Sequence, residues 1–483
     1  MEERKGFGTN FGFLMAAVGS AVGLGNIWGF PNKMGASGGF TFLVIYLVLA
    51  VLCGFIVMVG ELALGRKTHH GAVGAYKALS KKFKWMGWMG ILSAFFILFF
   101  YCALGGYCIK YTVLNIGDLF HAGFGANALA ETAAANGNSL GAEVFGAFMS
   151  SPTEAIVFGL IFVAITMIIV IGGIGGGIEK VCSVGMPALF VMLLICIIRA
   201  CTLEGAVDGL KYMFVPGWAV ANGVIEEAPG FLTVLSTAGG QMFFSLSLGM
   251  GAMITYGSYL DKKENLQKNA ILIIVMDTLV ALMAGLCVIP GRFALDPTGA
   301  LGGPKLLFVT MQNVFSRMGG FGPIFGILFY LLVVFAAVSS SISLLEVIVA
   351  HFVDKARNEG KGDMRKKYTL IAAACVGVGC ILVCADRLGD ASFTPWKLLN
   401  LPAESIRTWN DCWLDFWDML SEGIMMPLGA LLMSLMFGWE VGPDVVKEEC
   451  EASGHAMGSY GFFKVCIKYI TPLCMILILY GQI

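Results

Sequence analysis

GSAVGLGNIWGFP, residues 19–31, lies inside the first apolar run of the chain. Phe11 to Phe30 has the length and hydrophobicity of a membrane span and no charged side chain, yet it holds Gly19, Gly23, Gly25, Asn26 and Gly29, with Pro31 just beyond. Each glycine disfavours a helix by about 1 kcal/mol relative to alanine, so this is a poor way to build a simple anchor. Two readings account for the pattern. Small residues let membrane helices pack closely. Alternatively the helix is broken, which is tolerated at membrane depth only where protein or a cavity satisfies the freed backbone groups. The second reading makes the stretch an ion or solute site built from backbone carbonyls and Asn26.

The rest of the composition sets the class. Of 483 residues 58% are hydrophobic and 13% charged, about half the charged fraction of a soluble protein; the mean hydropathy is +0.81. The chain is expected to be one integral membrane unit, residues 1–483, in a lipid bilayer. A net charge of -1 provides no basic surface for nucleic acid. The 14 cysteines are scattered through apolar runs without zinc-like spacing and read as small buried hydrophobes. His69 and His70 stand in a basic loop, and the five histidines form no ligand cluster. Arg4 and Lys5 run directly into an apolar stretch too long for a signal peptide, so the first helix is expected to stay in the protein.

Eleven spans are expected, near 11–32, 40–64, 87–116, 154–172, 182–203, 231–258, 270–290, 321–351, 369–385, 416–438 and 459–481. With the N-terminus cytoplasmic, inside segments hold Arg66, Lys67, Lys77, Lys81, Lys82 and Lys84, then Lys180, then Lys262, Lys263 and Lys268, then Lys355 to Lys367. Residues 117–153, on the other side, hold no lysine or arginine. This bias orients the chain, and an odd span number puts Ile483 outside. The long outer segments 117–153 and 291–320 suit lids over a cavity. GGIGGGIEK, 172–180, lacks the spacing of a nucleotide loop and reads as a flexible cytoplasmic turn.

The sixth span repeats the anomaly of the first. GGQMFFSLSLGMGAM, 239–253, interrupts an apolar helix with Gln241, Ser245, Ser247, Gly249 and Gly251. Interruptions in corresponding helices of two halves point to a transport site at the midplane. The seventh span, IIVMDTLVALMAG, buries Asp277, and an intramembrane carboxylate reads by default as an ion, proton or counter-ion group. In the eighth span, FAAVSSSISLLE, three successive serines either bond back to helix carbonyls or coordinate a hard cation. Glu61, in VGELALGRK, either anchors the broken region of the first span or sits at the interface.

Together GSAVGLGNIWGFP, GELALGRK, GQMFFSLSLGMGAMITYGSY and FAAVSSSIS resemble the neurotransmitter:sodium symporter family in its prokaryotic amino-acid branch, over about residues 4–480. The resemblance implies an all-α polytopic membrane protein with a LeuT-like 5+5 inverted-topology repeat. Residues 11–203 and 231–438 would be the two five-helix repeats, with the first and sixth spans unwound at the midplane, and 459–481 an additional helix of peripheral packing. It implies Na⁺-coupled import of an amino acid across the cytoplasmic (inner) membrane by alternating access. The first sodium site would use Ala21, Asn26, Ser245 and Asp277; the second, Gly19, Val22, Ala336, Ser339 and Ser340.

By the same resemblance the substrate carboxylate would meet Na⁺, the amides from Ala21 through Val22 to Gly23, and Tyr101. Its ammonium would meet carbonyls near Phe244 and Ser247, with Phe244 as an aromatic lid. Ile97, Met250 and Leu344 would line a side-chain pocket for a large hydrophobic or aromatic amino acid such as tyrosine or tryptophan. Chloride in relatives lies among positions matching Tyr46, Gln241, Ser245, Asp277 and Ala281; here Asp277 brings a negative charge of its own, and transport is expected to be chloride-independent. Arg4, Phe7, Tyr259 and Asp354 match the inner gate, with Arg4 and Asp354 as its ion pair. The outer-gate acid matches Asp415, but its usual arginine partner is replaced by Gly29, so outer closure is expected to rest on Tyr101 and Phe244. The alternatives are a proton-coupled amino-acid transporter with Asp277 as carrier, and a channel.

Overall fold

The computed structural model describes residues 7–400 and 410–482, and these form helices joined by turns. Among the described residues nine helices are long and apolar enough to cross a membrane: Phe40–Thr68, Met86–Leu119, Pro152–Ile171, Ile174–Cys201, Leu266–Leu295, Gly319–Asn358, Arg365–Gly389, Trp413–Glu440 and Tyr460–Tyr480. Two interrupted helices join them. Asn10–Ala21 and Gly25–Ala36 meet at a 44° bend, and Phe231–Ser245 is separated from Ala252–Gly257 by an irregular stretch. Counting the first interrupted helix as one span gives ten among the described residues; the eleventh expected span is the interrupted pair Phe231–Ser245 and Ala252–Gly257.

The two interrupted spans lie at the centre. The inner half of the first packs on the fifth, seventh and eighth spans, and the two halves of the sixth pack on the second. The third and eighth spans run side by side along much of their length, and the ninth covers the third and fourth. Outward faces are apolar: Val44, Val48 and Val51 on the second span and Val184, Val191 and Ile198 on the fifth are exposed. Such faces suit lipid, because every spanning backbone group is already paired inside its own helix.

The interruptions have local causes. Val22 leaves the helix with extended angles (φ -72°, ψ 104°), and the chain resumes as a wide π-helical turn over Gly25–Gly29. In the sixth span Ser247, Gly249 and Gly251 take φ of 54°, 80° and 80°. Glycine adopts this left-handed region freely; for Ser247 it is strained by about 1–3 kcal/mol. Its hydroxyl donates to the Ser20 carbonyl at 2.7 Å, tying one break to the other.

Three expectations need correction. GGIGGGIEK is not a flexible turn throughout: after Gly173 (φ 76°) the chain winds into a π-helical turn over Ile174–Ile178 that opens the fifth span, eight residues before its expected start. Glu179 within it accepts from the Gly8 amide at 2.9 Å and so caps the approach to the first span. Glu61 anchors the break of the sixth span, not of the first, accepting from the Gly249 amide at 2.7 Å. The eleventh span is not merely peripheral. It packs along Phe231–Ser245, where Ser236 donates to the Ile478 carbonyl at 2.9 Å, and its outer end lines a cavity.

The outer segment after the seventh span folds back over the first. The Trp28 indole donates to the Gly303 carbonyl at 3.3 Å, and the Gly303 amide donates to Asn32 Oδ1 at 2.6 Å. A helical stretch over Leu306–Ser316 follows and packs under residues 140–150.

Candidate transport site

The two breaks face one another across a small enclosed cavity of about 10 Å³. Its walls include Ala21 and Gly23 from the first span, Ile97 and Tyr101 from the third, Phe244, Ser247 and Met250 from the sixth, and Ser340 and Leu344 from the eighth. Eight of these nine are the residues expected to hold a substrate, the ninth an expected sodium ligand; Val22 adjoins them, fully buried. Tyr101 comes within reach because the straight helix Met86–Leu119 passes the first break: its hydroxyl oxygen accepts from the Leu24 amide at 2.8 Å. Gly23 is required here, since a Cβ at this position would collide with Ser340 Oγ and Tyr101 Oη. Phe244 stands 6.3 Å, centroid to centroid, from both Tyr101 and Phe100.

Polar groups converge at the outer edge of the first break. Asn26 accepts from the Gly23 amide at 2.9 Å through Oδ1 and donates to Asp277 Oδ1 at 2.7 Å and to the Asp277 carbonyl at 3.0 Å. Ser245 Oγ lies 3.1 and 3.0 Å from the two Asp277 carboxylate oxygens, and Tyr46 Oη lies 3.4 Å from Oδ2. All four side chains are fully buried. Three of the four expected first-site residues, Asn26, Ser245 and Asp277, are thus in mutual contact, and Ala21 lines the adjoining cavity. Oxygen donors of this kind, one of them an anion, are those a hard cation prefers.

A second convergence joins the first break to the serine run. Ser340 Oγ lies 3.3, 3.1 and 3.3 Å from the carbonyl oxygens of Gly19, Ser20 and Val22. Ser339 Oγ lies 3.2 Å from the Val22 carbonyl and 2.9 Å from that of Ala336. All five expected second-site residues meet, and the set holds no charged side chain. The carbonyls are available because the helix ends at Ala21, leaving its last C=O groups without amides further along.

At the expected inner gate Phe7 packs edge-on against Tyr256 and Tyr259, at 5.8 and 6.2 Å between centroids. Arg4 lies outside the described residues, so the expected Arg4–Asp354 pair does too; Asp354 Oδ2 accepts from the Gly71 amide at 3.4 Å. Sequence reading missed a second ion pair here. Arg365 grips Glu346 with both arms, at 2.6 and 2.9 Å, and Tyr259 donates to the same carboxylate at 2.8 Å. Glu346 is fully buried and Arg365 is partly buried. The signal was present: Glu346 is an acid five residues after Ser341, in an apolar helix.

At the expected outer gate, Asp415 forms no ion pair among the described residues. Its carboxylate accepts from the Asn410 amide and side chain at 3.2 and 2.6 Å. Lys33, one helical turn beyond Gly29, pairs instead with Glu422.

Comparison with known proteins agrees with this architecture. The family model described as the sodium:neurotransmitter symporter family matches residues 4–121 and 151–394. A sodium-dependent transporter of Bacillus subtilis, YhdH, is 31% identical, over 97% of this chain and 96% of its own. One from Haemophilus influenzae is 30% identical over 99% and 98%. The crystal structure of MhsT in complex with L-phenylalanine superposes with a TM-score of 0.83 at 31% identity, covering both chains completely. The fold is the LeuT fold of that transporter, and the chain is an integral, multi-pass membrane member of the sodium:neurotransmitter symporter family, a transporter and not an enzyme.

Proposed function

We propose that the protein imports a large apolar or aromatic amino acid together with Na⁺ by alternating access, without a requirement for chloride. The observation that carries this reading is the meeting of two oxygen-rich clusters at the helix breaks, on either side of one cavity whose side-chain walls are Ile97, Met250, Leu344 and Phe244. One ion would be held by Ala21, Asn26, Ser245 and Asp277, the other by Gly19, Val22, Ala336, Ser339 and Ser340. An apolar pocket repels a charged side chain, and Met250 is unbranched and adapts to bulk. The related MhsT holds L-phenylalanine, which supports the same substrate class. Asp277 supplies the negative charge that chloride would otherwise bring. In this reading residues 11–203 and 231–438 are the inverted repeats, the N-terminus is cytoplasmic and the membrane is the inner one.

Uptake of a mixture of radiolabelled amino acids into proteoliposomes, with and without an inward Na⁺ gradient, tests it. Na⁺-driven accumulation of one or a few large apolar amino acids is expected. Preference for glycine or alanine would overturn the substrate class, and uptake that follows a pH gradient without Na⁺ would make Asp277 a proton carrier instead.

A further inference from the structure

We propose that outer closure in this chain is performed by the Lys33–Glu422 ion pair, held in place by the outer end of the eleventh span. This rests on the alternating-access reading above and names a gate for it. The pair connects the outer half of the first span to a π-helical turn of the tenth, Met419–Met425. Glu422 is 7% exposed and Lys33 20%, and both line an outer cavity of about 370 Å³ shared with Asp415, Asp418 and Gln482. Asp415, Asp418 and Glu422 recur at helical spacing, and among the described residues Glu422 is the one within ion-pair reach of the ammonium.

The register has a steric cause. A Cβ at Gly29 would stand 2.7 Å from Gln241 Oε1, and the Gln241 amide is committed to the Gly25 carbonyl at 2.6 Å. The face of residue 29 is thereby filled by the sixth span, and the first position free to send a long cation towards the tenth is one turn on, at 33. Two glycines then shape the seat of the acid. A Cβ at Gly240 would lie 3.0 Å from Glu422 Oε1 and 3.7 Å from Gln482 Nε2; one at Gly423 would lie 3.3 Å from Gln482 Oε1. Gln482 fills the notch that these two glycines leave beside Glu422.

The test places a reporter beneath the gate, Ile97→Cys in the enclosed cavity, in the full chain in right-side-out membrane vesicles. A membrane-impermeant thiol reagent is applied, and peptide-resolved mass spectrometry reads modification at residue 97 alone. Lys33→Gln and Glu422→Gln are each expected to raise the labelling rate about tenfold, and the exchange Lys33→Glu with Glu422→Lys to return it to within about threefold of the parent. Gly240→Ala, which crowds Glu422 without removing its charge, should give an intermediate rise. Labelling at the parental rate in both single variants would overturn the proposal, as would Asp415→Asn opening the path as far as Glu422→Gln. Should a single variant fail to fold, Gly240→Ala and the exchanged pair decide the matter. Na⁺-driven uptake measured on the same vesicles separates the two claims: labelling that follows the pair while uptake ignores Na⁺ would sink the symport reading and leave the gate.

Discussion

Asp277→Asn removes one charge from the most constrained point of the site and changes no volume. In the native chain the carboxylate accepts from Asn26 at 2.7 Å and from Ser245 at 3.0–3.1 Å, with the Tyr46 hydroxyl at 3.4 Å. The amide keeps one acceptor for Asn26. Its NH₂ then faces Ser245 and Tyr46, whose hydroxyls can rotate to accept, so folding suffers little. Charged acceptors make hydrogen bonds of about 1.5–3 kcal/mol and neutral ones about 0.5–1.5, which puts the structural loss at about 1–2 kcal/mol. The loss to a bound cation is larger. Opposite unit charges about 4 Å apart at an effective dielectric of about 20 attract by about 4 kcal/mol, and the burial penalty of the carboxylate offsets part of that. A net loss of about 2–3 kcal/mol corresponds to about 30- to 150-fold in the Na⁺ concentration for half-maximal uptake. The assay is a Na⁺ titration of amino-acid uptake into proteoliposomes, in chloride and again in gluconate. The native protein should titrate identically in both, and the variant should need more Na⁺ in gluconate than in chloride, which can return the missing charge. A variant within about threefold of the native Na⁺ requirement, or a native protein that stops working in gluconate, would refute the reasoning.

Three further perturbations follow from the same geometry. Ser340→Ala removes a hydroxyl lying 3.1–3.3 Å from three carbonyls; Na⁺-induced thermal stabilisation should weaken at least tenfold while the Na⁺-free melting temperature changes little, and an unchanged Na⁺ response would remove Ser340 from the ion site. Glu346→Gln leaves the Arg365 guanidinium buried without its anion, a loss of about 3–5 kcal/mol for a broken buried pair; the double change Glu346→Ala with Arg365→Ala should be less damaging than either single change in thermal melts, and additive losses would show that the two are not coupled. Glu61→Ala strips the Gly249 amide of its acceptor and should lower stability by about 1–3 kcal/mol, while Glu61→Gln keeps an oxygen there and should recover most of it; equal losses would mean that the charge and not the hydrogen bond matters.

Much of this architecture is legible along the chain because the membrane makes unusual residues informative. Glycines, Asn26 and Ser247 inside apolar helices disfavour helix without obvious return, so their positions mark the breaks, and Asp277 and the serine run mark what the breaks face. Span number follows from the length of apolar runs, and Asn26, Ser245, Asp277 and the serine run stand out by residue type, while the full membership of each oxygen cluster came from the family resemblance. Run length and residue type were local properties, readable one helix at a time.

Tertiary structure decided which partner each polar group takes. Glu61 faces the sixth break rather than the first because Phe40–Thr68 packs along Ala252–Gly257, a relation between helices far apart in sequence. Glu346 and Arg365 are separated by a loop that returns the chain to the same membrane face, and only that return brings them into contact. GGIGGGIEK winds as helix from Ile174 even though five of its nine residues are glycine, because packing of the fifth span on the first and Glu179 at the Gly8 amide hold it there. Lys33 meets Glu422 across helices far apart in sequence, and Gln241 of the sixth span fills the space beside Gly29, relations that belong to no helix by itself. Local composition determines where a membrane helix must yield. The packing of distant helices determines which charge the yielding backbone meets.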